Sequence, residues 1–426
     1  MSITRRKKYI GDKDRGIALT VLTDKKLKTN SFIIHFINPL ERETAAASAA
    51  VAFMLEDTCR EYPDITSFSR RLAELYGANI RGGISRFSDS QVITFSGSCI
   101  SDKYALEGEK VSAELLELLC GCIFDPVTEN DSFSEKLFRL KKQELIDDID
   151  ADINDKRIYA LKKAGEMIFA GEPAGIAVRG ERADAEALTC DMVFKAYKKL
   201  LSSAKIEIIF VGCELPEECE KMLDEKFSAL DRSEVYLPEI KRSPAKSEVI
   251  NETERLDVTQ TKMVMAFKFT ERNLPVDKIF TAVYGGTPFS LLFKNVREKL
   301  SLCYYCSASL KSKKGVIMVD SGVENANISA AREEILRQLE AVRNGDFSNE
   351  LLEDSKRYMV SALKSVNDTP RAVADWYYSY CLDSEEETCS PEQFIEKIEA
   401  VTKDDVTAFA RSVTLDTVYV LTSKED

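Results

Sequence analysis

The sequence predicts an α+β protein built from two related domains, each a sheet with one face covered by helices. Three observations predict it. Apolar runs no longer than a strand alternate with helical patterns, the order of these elements occurs twice, and two short polar markers recur at corresponding places. The first copy opens with the apolar strand Ser31 to Ile37 and the second with Lys262 to Lys268. Each continues with a helix, then a second helix with an Arg-bearing turn and a Tyr-containing exit, Arg70 to Tyr76 and Val296 to Tyr304. A hairpin follows, with Gln91 to Cys99 in one copy corresponding to Gly315 to Gly322 in the other.

The markers come next. Asp131-Ser132-Phe133-Ser134-Glu135 resembles Asp346-Phe347-Ser348-Asn349-Glu350, and Asn154-Asp155-Lys156 resembles Asn367-Asp368-Thr369. Each of the latter leads into a long helical pattern with aromatics. Both copies close with an amphipathic helix and a strand, Lys205 to Val211 and Thr417 to Thr422. Between them, Asp231 to Glu252 is polar and carries Pro238 and Pro244, which suits a linker. The expected domains are therefore 1–230 and 253–426, joined by 231–252.

Composition bounds the function. The 426 residues include 59 Lys and Arg against 72 Asp and Glu, a net charge of −13, which opposes non-specific attraction to nucleic acid. Apolar residues at 44 % and aromatics at 9 % are enough for buried cores. The basic start Arg5 to Lys8 is followed by Tyr9-Ile10-Gly11-Asp12 and not by the apolar run of a signal peptide. No stretch is long and apolar enough for a transmembrane helix. The 11 cysteines, odd in number and set mostly in apolar segments, read as reduced thiols of a cytoplasmic protein.

Several chemistries lack their residues. There is no phosphate-binding glycine loop and no G-x-S-x-G elbow. The one histidine, His35, lies mid-strand and reads as a packed side chain rather than a general base. It cannot supply the two histidines of H-E-x-x-H or H-x-x-E-H. Asp148, Asp152 and Asp155 fall on one helical face, better explained as a solvated face than as a calcium site. Cys303 and Cys306 have zinc-knuckle or redox spacing, but they lie in a strand with no second pair. Cys120 and Cys122, at the end of an apolar helix, carry a weaker signal still.

One segment stands apart, Gly285 to Tyr304. A double glycine opens an expected helix, Leu291, Leu292, Phe293 and Val296 form its apolar stripe, Arg297 begins its last turn, and Tyr304 enters a strand. With Ser290, Glu298 and Leu302, this arrangement resembles the signature of the pitrilysin/insulinase family of zinc peptidases, which includes the mitochondrial processing peptidases. The resemblance implies two homologous domains, each a mostly antiparallel sheet packed on one face by helices. It also implies that Arg297 and Tyr304 bind substrate beside a zinc site in the other half or in another chain, with the Gly285–Gly286 backbone as a further contact. Arg297 offers fixed donors and Tyr304 a hydroxyl, suited to a carbonyl or to the oxyanion formed on its hydration. Without the surrounding pattern, Arg297 would read as a helix cap and Tyr304 as sheet packing.

The family's H-x-x-E-H motif precedes a Tyr-Pro step, here Tyr62-Pro63. By that alignment its zinc ligands are Ala49 and Phe53 and its catalytic glutamate is Ala52, while the third ligand falls near Glu144. Alanine and phenylalanine neither bind zinc nor deprotonate its water. Glu56 and Asp57 are poor substitutes, because adjacent helical residues face different ways. The resemblance therefore implies an inactive peptidase homologue with no catalytic residue and no metal of its own. In this expectation it is the non-catalytic subunit of a heterodimer whose zinc-bearing partner is a homologous peptidase acting on peptides. Two similar half-shells would enclose a chamber where an extended peptide adds to a sheet edge. The alternative is an inert peptide-binding or scaffold protein acting as a homodimer.

Overall fold

The computed structural model describes residues 3–381 and 388–424. In chain order its first part runs β1 (Thr4–Tyr9), β2 (Ile17–Thr23), β3 (Thr29–Pro39), α1 (Arg42–Met54), α2 (Ile65–Glu74), β4 (Asn79–Phe87), β5 (Ser90–Ile100) and α3 (Val111–Phe124). A two-residue hairpin, β6 (Thr128–Glu129) and β7 (Ser132–Phe133), leads to α4 (Glu135–Ala151), α5 (Lys156–Ile168), α6 (Arg182–Ala187), α7 (Cys190–Ser203), β8 (Lys205–Gly212) and α8 (Glu217–Ser228). The second part is β9 (Ile250–Arg255), β10 (Thr261–Lys268), α9 (Leu274–Thr281), β11 (Cys303–Lys311) and β12 (Val316–Val323), followed by α10 (Ile328–Arg343), α11 (Asn349–Lys364), α12 (Pro370–Cys381), α13 (Pro391–Glu399), α14 (Lys403–Ser412) and β13 (Thr414–Thr422).

The chain forms two compact units. One comprises Met1–Asp150, Ile176–Glu239 and Val366–Thr388; the other comprises Ala151–Gly175, Ile240–Ser365 and Cys389–Asp426. The first holds a six-stranded sheet ordered β1-β2-β8-β3-β5-β4, the second a five-stranded sheet ordered β11-β12-β10-β13-β9. Both are mostly antiparallel, with one parallel pair each, β2 with β8 and β13 with β9. The expected α+β architecture is therefore present twice. The linker expected over 231–252 is irregular until Ile250, where β9 has already begun.

In the first unit, β2, β3 and β8 turn Leu19, Phe32, Ile34, Phe36, Ile208 and Phe210 onto α1, α3, α7 and α8. The alternating residues Leu22, Ile33, Ile209 and Val211 meet Val373, Ala374 and Tyr377 of α12. In the second unit, Val264, Ala266, Val316, Met318, Tyr419 and Leu421 meet Ala160, Ala164 and Ile168 of α5. Each sheet thus has its main helical layer on one face and a single helix on the other. That single helix comes from the opposite half of the sequence, immediately after the Asn-Asp marker. Asp155 caps α5 by accepting from the amides of Arg157 and Ile158.

Asp155 also corrects the expected acidic face. Helix α4 ends at Ala151, and Asp152–Asn154 form a tighter turn, so the three aspartates do not share one helix. Asp148 pairs with Arg179, and Asp152 with Lys162 at 3.0 Å. His35 lies in β3 opposite Thr94, whose Oγ1 is 2.9 Å from its Nδ1, and its ring stacks on Tyr378 with centroids 3.9 Å apart. Among the described residues, no helix is long and apolar enough to cross a membrane.

Candidate functional site

The motif segment lies in the second unit and departs from regular helix twice. α9 widens into a π-turn over Ala282–Gly286, and the helix resumed at Leu291 widens again over Phe293–Lys299. Such wide turns recur at functional sites. The glycine pair therefore closes one helix instead of opening the next, for a steric reason. A Cβ on Gly285 would stand 2.8 Å from both Ala308 Cβ and Leu292 Cδ1, and one on Gly286 would stand 3.0 Å from the Thr281 carbonyl. The buried Ser290 hydroxyl donates to the Thr287 carbonyl at 2.7 Å, so this motif residue fastens the turn between the two helices.

Tyr304 is the extra residue of a β-bulge. The pairing of β11 with β12 jumps from Cys303–Val323 to Tyr305–Gly322 and leaves Tyr304 without a cross-strand partner. The bulge turns its ring outward, where it is 60 % exposed, and its hydroxyl donates to Glu324 Oε1 at 3.1 Å. That bond, more than any other influence, raises the phenol's pKa. Arg297 is also exposed. Its Nε donates to the Tyr304 carbonyl at 3.0 Å, and its guanidinium lies over the Phe293 ring, 4.6 Å from the centroid. Its two terminal nitrogens carry no hydrogen bond among the described residues. Seven residues apart in sequence, Arg297 and Tyr304 are joined at the bulge, the guanidinium with its terminal donors uncommitted and the phenol with its one O–H given to Glu324.

The two thiols influence each other, lowering the pKa of Cys303 and raising that of Cys306 well above the ordinary thiol value. Both cysteines are buried in the sheet.

The positions expected for the zinc motif lie in the first unit on α1, whose alanine-rich sequence is strongly helix-forming. Ala49 and Ala52 are buried and Phe53 is half-buried. A Cβ on Gly82 of β4 would come within 2.8 Å of the Ala52 carbonyl, so this strand sits directly on the helix. Glu144 of α4 is engaged by Lys141 Nζ at 2.9 Å. Among the described residues, no group of three or more His, Cys, Asp or Glu side chains is arranged to hold a metal ion. Two alanines and a phenylalanine offer no lone pair, so the donor set of α1 does not fit the zinc ion that the fold's peptidase relatives use.

Sequence reasoning did not single out Glu324, the bulge at Tyr304, or Lys141. A bulge leaves no periodicity signal in a nine-residue strand. The burial of Lys141 could have been read from its place in the apolar spacing Phe138, Leu145, Ile149.

Fold and site together are similar to those of M16-type peptidases, with apolar side chains where the resemblance expects the zinc motif. The model of the peptidase M16 inactive domain matches residues 187–359. The chain is similar to the probable inactive metalloprotease YmfF of Bacillus subtilis, 27 % identical over 97 % of both chains. An uncharacterized zinc protease of Rickettsia bellii is 25 % identical over 52 % of this chain and 55 % of its own. Among solved structures, a conserved protein from Enterococcus faecalis superposes with a TM-score of 0.90 at 25 % identity over 99 % of each chain. A peptidase M16 inactive domain from Pseudomonas fluorescens shares the fold, with a TM-score of 0.78 at 15 % identity over 99 % of this chain and 98 % of its own.

Proposed function

We propose that this chain is the non-catalytic subunit of a two-chain M16-type peptidase, lending Arg297 and Tyr304 to a homologous partner that carries the zinc. The observation that carries the reading is the bulge. It spends an irregularity of β11 on turning Tyr304 outward beside an Arg297 whose terminal donors are uncommitted. A peptide carbonyl, or the oxyanion formed when it is hydrated, is the ligand these donors suit. With the motif positions at Ala49, Ala52 and Phe53 apolar, the chain alone deprotonates no water. Zinc then belongs only to the partner, and the many free thiols go with a cytoplasmic location.

The test is to purify this chain and an H-x-x-E-H homologue encoded beside it, and to assay a quenched-fluorescence peptide library with each alone and with both. The mixture should cleave in a zinc-dependent way, and Arg297→Ala or Tyr304→Phe should lower kcat by roughly 10²-fold. Unchanged rates in both variants would defeat the proposal. A second reading, an inert peptide-binding or scaffold homodimer, is favoured by the internal bonds of the pair, Arg297 to the Tyr304 carbonyl and Tyr304 to Glu324. It predicts peptide binding without hydrolysis in any mixture.

A further inference from the structure

Lys141 is 2 % exposed, although lysine is almost never fully buried unless paired. It occupies the inward stripe of α4 between Phe138 and Leu145, both in the core. Its ammonium is surrounded by carboxylates: Asp57 Oδ2 at 2.6 Å, Glu144 Oε2 at 2.9 Å and Glu56 Oε1 at 3.5 Å. An ammonium has three donors; here two go to Asp57 and Glu144, and Glu56 stands at ion-pair distance. Glu56 and Asp57 follow directly on the C-terminal end of α1, the helix of Ala49, Ala52 and Phe53, while Glu144 belongs to α4. From α3, the Cys122 thiol is close enough to Asp57 to feel its charge.

We infer that Lys141 is the resident cation of the α1–α4 junction, its ammonium doing there what a bound metal ion would otherwise do. A divalent ion binding beside it would meet a fixed positive charge at short range, and the carboxylates it needs are already committed. The disagreement with a zinc site is thus twofold. The α1 donors are absent, and the third carboxylate candidate, Glu144, is held by an internal cation. This account is independent of any partner and of Arg297 and Tyr304, so it stands or fails separately from the proposed function.

Thermal melting of the full chain tests it. Lys141→Met keeps the bulk and removes the charge, leaving three crowded carboxylates, and should lower Tm by roughly 5–10 °C. Adding Asp57→Asn and Glu144→Gln in the same chain should bring Tm back to within about 3 °C of the parent, because only the more distant, part-exposed Glu56 is then left without its cation. Should Lys141→Met alone fail to fold, recovery of a folded chain by the triple variant carries the same meaning. Zinc or manganese at millimolar concentration should leave the parent's Tm unchanged, and zinc should not co-purify with it. A triple variant as unstable as Lys141→Met would overturn the inference, because the loss would then not come from uncompensated carboxylates. So would one tightly bound metal per parent chain.

Discussion

The only histidine of the chain makes its acid response unusually easy to attribute. His35 of β3 is sealed against α12, stacked on Tyr378, and burial, reinforced by the charge of Arg371, lowers its pKa to about 3. In the unfolded chain it titrates near 6.5. The folded value lies below the unfolded one, so between those pH values the unfolded chain binds the extra proton. Stability therefore falls as pH falls through that window and is fully retained above it. The loss approaches about 1.4 kcal/mol for each pH unit below 6.5, or about 2 kcal/mol at pH 5.0. That corresponds to roughly 4–8 °C in the melting of the first unit. His35→Phe keeps an aromatic ring against Tyr378 and removes the proton site. Its Tm should therefore drop less than the parent's between pH 7.5 and 5.0, by about that margin. The single imidazole signal in the NMR spectrum of the folded parent should also stay neutral throughout this range. Equal losses in parent and variant, or an imidazole titrating near 6.5 in the folded chain, would refute the reasoning.

Two further substitutions probe the second unit. Gly285→Ala drives a methyl to 2.8 Å from Ala308 Cβ and against the Ala308 amide, so denaturant unfolding should show a loss of about 1–3 kcal/mol. A loss well below that would mean the π-turn has room to move away from β11. Asp416 is wholly buried beside Lys246 at 2.8 Å and Lys268 at 3.8 Å, with Thr417 bonded to it. Asp416→Ala strands buried positive charge and should cost about 3–5 kcal/mol by the same measurement, and a near-neutral result would show that water reaches the lysines.

Much of the fold was legible because it rests on periodicity. The strands expected at Ser31 to Ile37, Lys262 to Lys268 and Lys205 to Val211 all lie within β3, β10 and β8, where continuous burial demands continuous apolar sequence. The Asp-Phe-Ser and Asn-Asp markers were legible as a repeat, and the structure gives them a role as caps. Ser348 accepts from the Leu351 amide at the start of α11, as Asp155 does at the start of α5. What the sequence could not disclose was contact at a distance. Nothing local tells that Tyr304 is a bulged residue, that Gly285 ends a helix against Ala308, or that Lys141 reaches Asp57 across 84 positions. The acidic run misled for a physical reason: Asp155 satisfies the amides of a new helix better than it continues the old one.

The exchange of α5 and α12 bears on how the duplication is understood. A contiguous half of this sequence carries the strands and main helical layer of one unit but not the helix over the other face of its sheet. Without α12, the face formed by Leu22, Ile33, Ile209 and Val211 loses its cover, and without α5 so does the face with Val264, Ala266, Met318 and Leu421. Exposed β-sheet faces of that size invite association. Each half of the chain thus supplies part of the other's hydrophobic core. A chain with apolar residues at the expected motif positions can keep its architecture for that reason alone, since the helix carrying Ala49, Ala52 and Phe53 packs against β4 and α7. Persistence of the fold is therefore no argument for persistence of peptidase chemistry. The bulge at Tyr304 is different, because an outward-turned aromatic contributes little to that core.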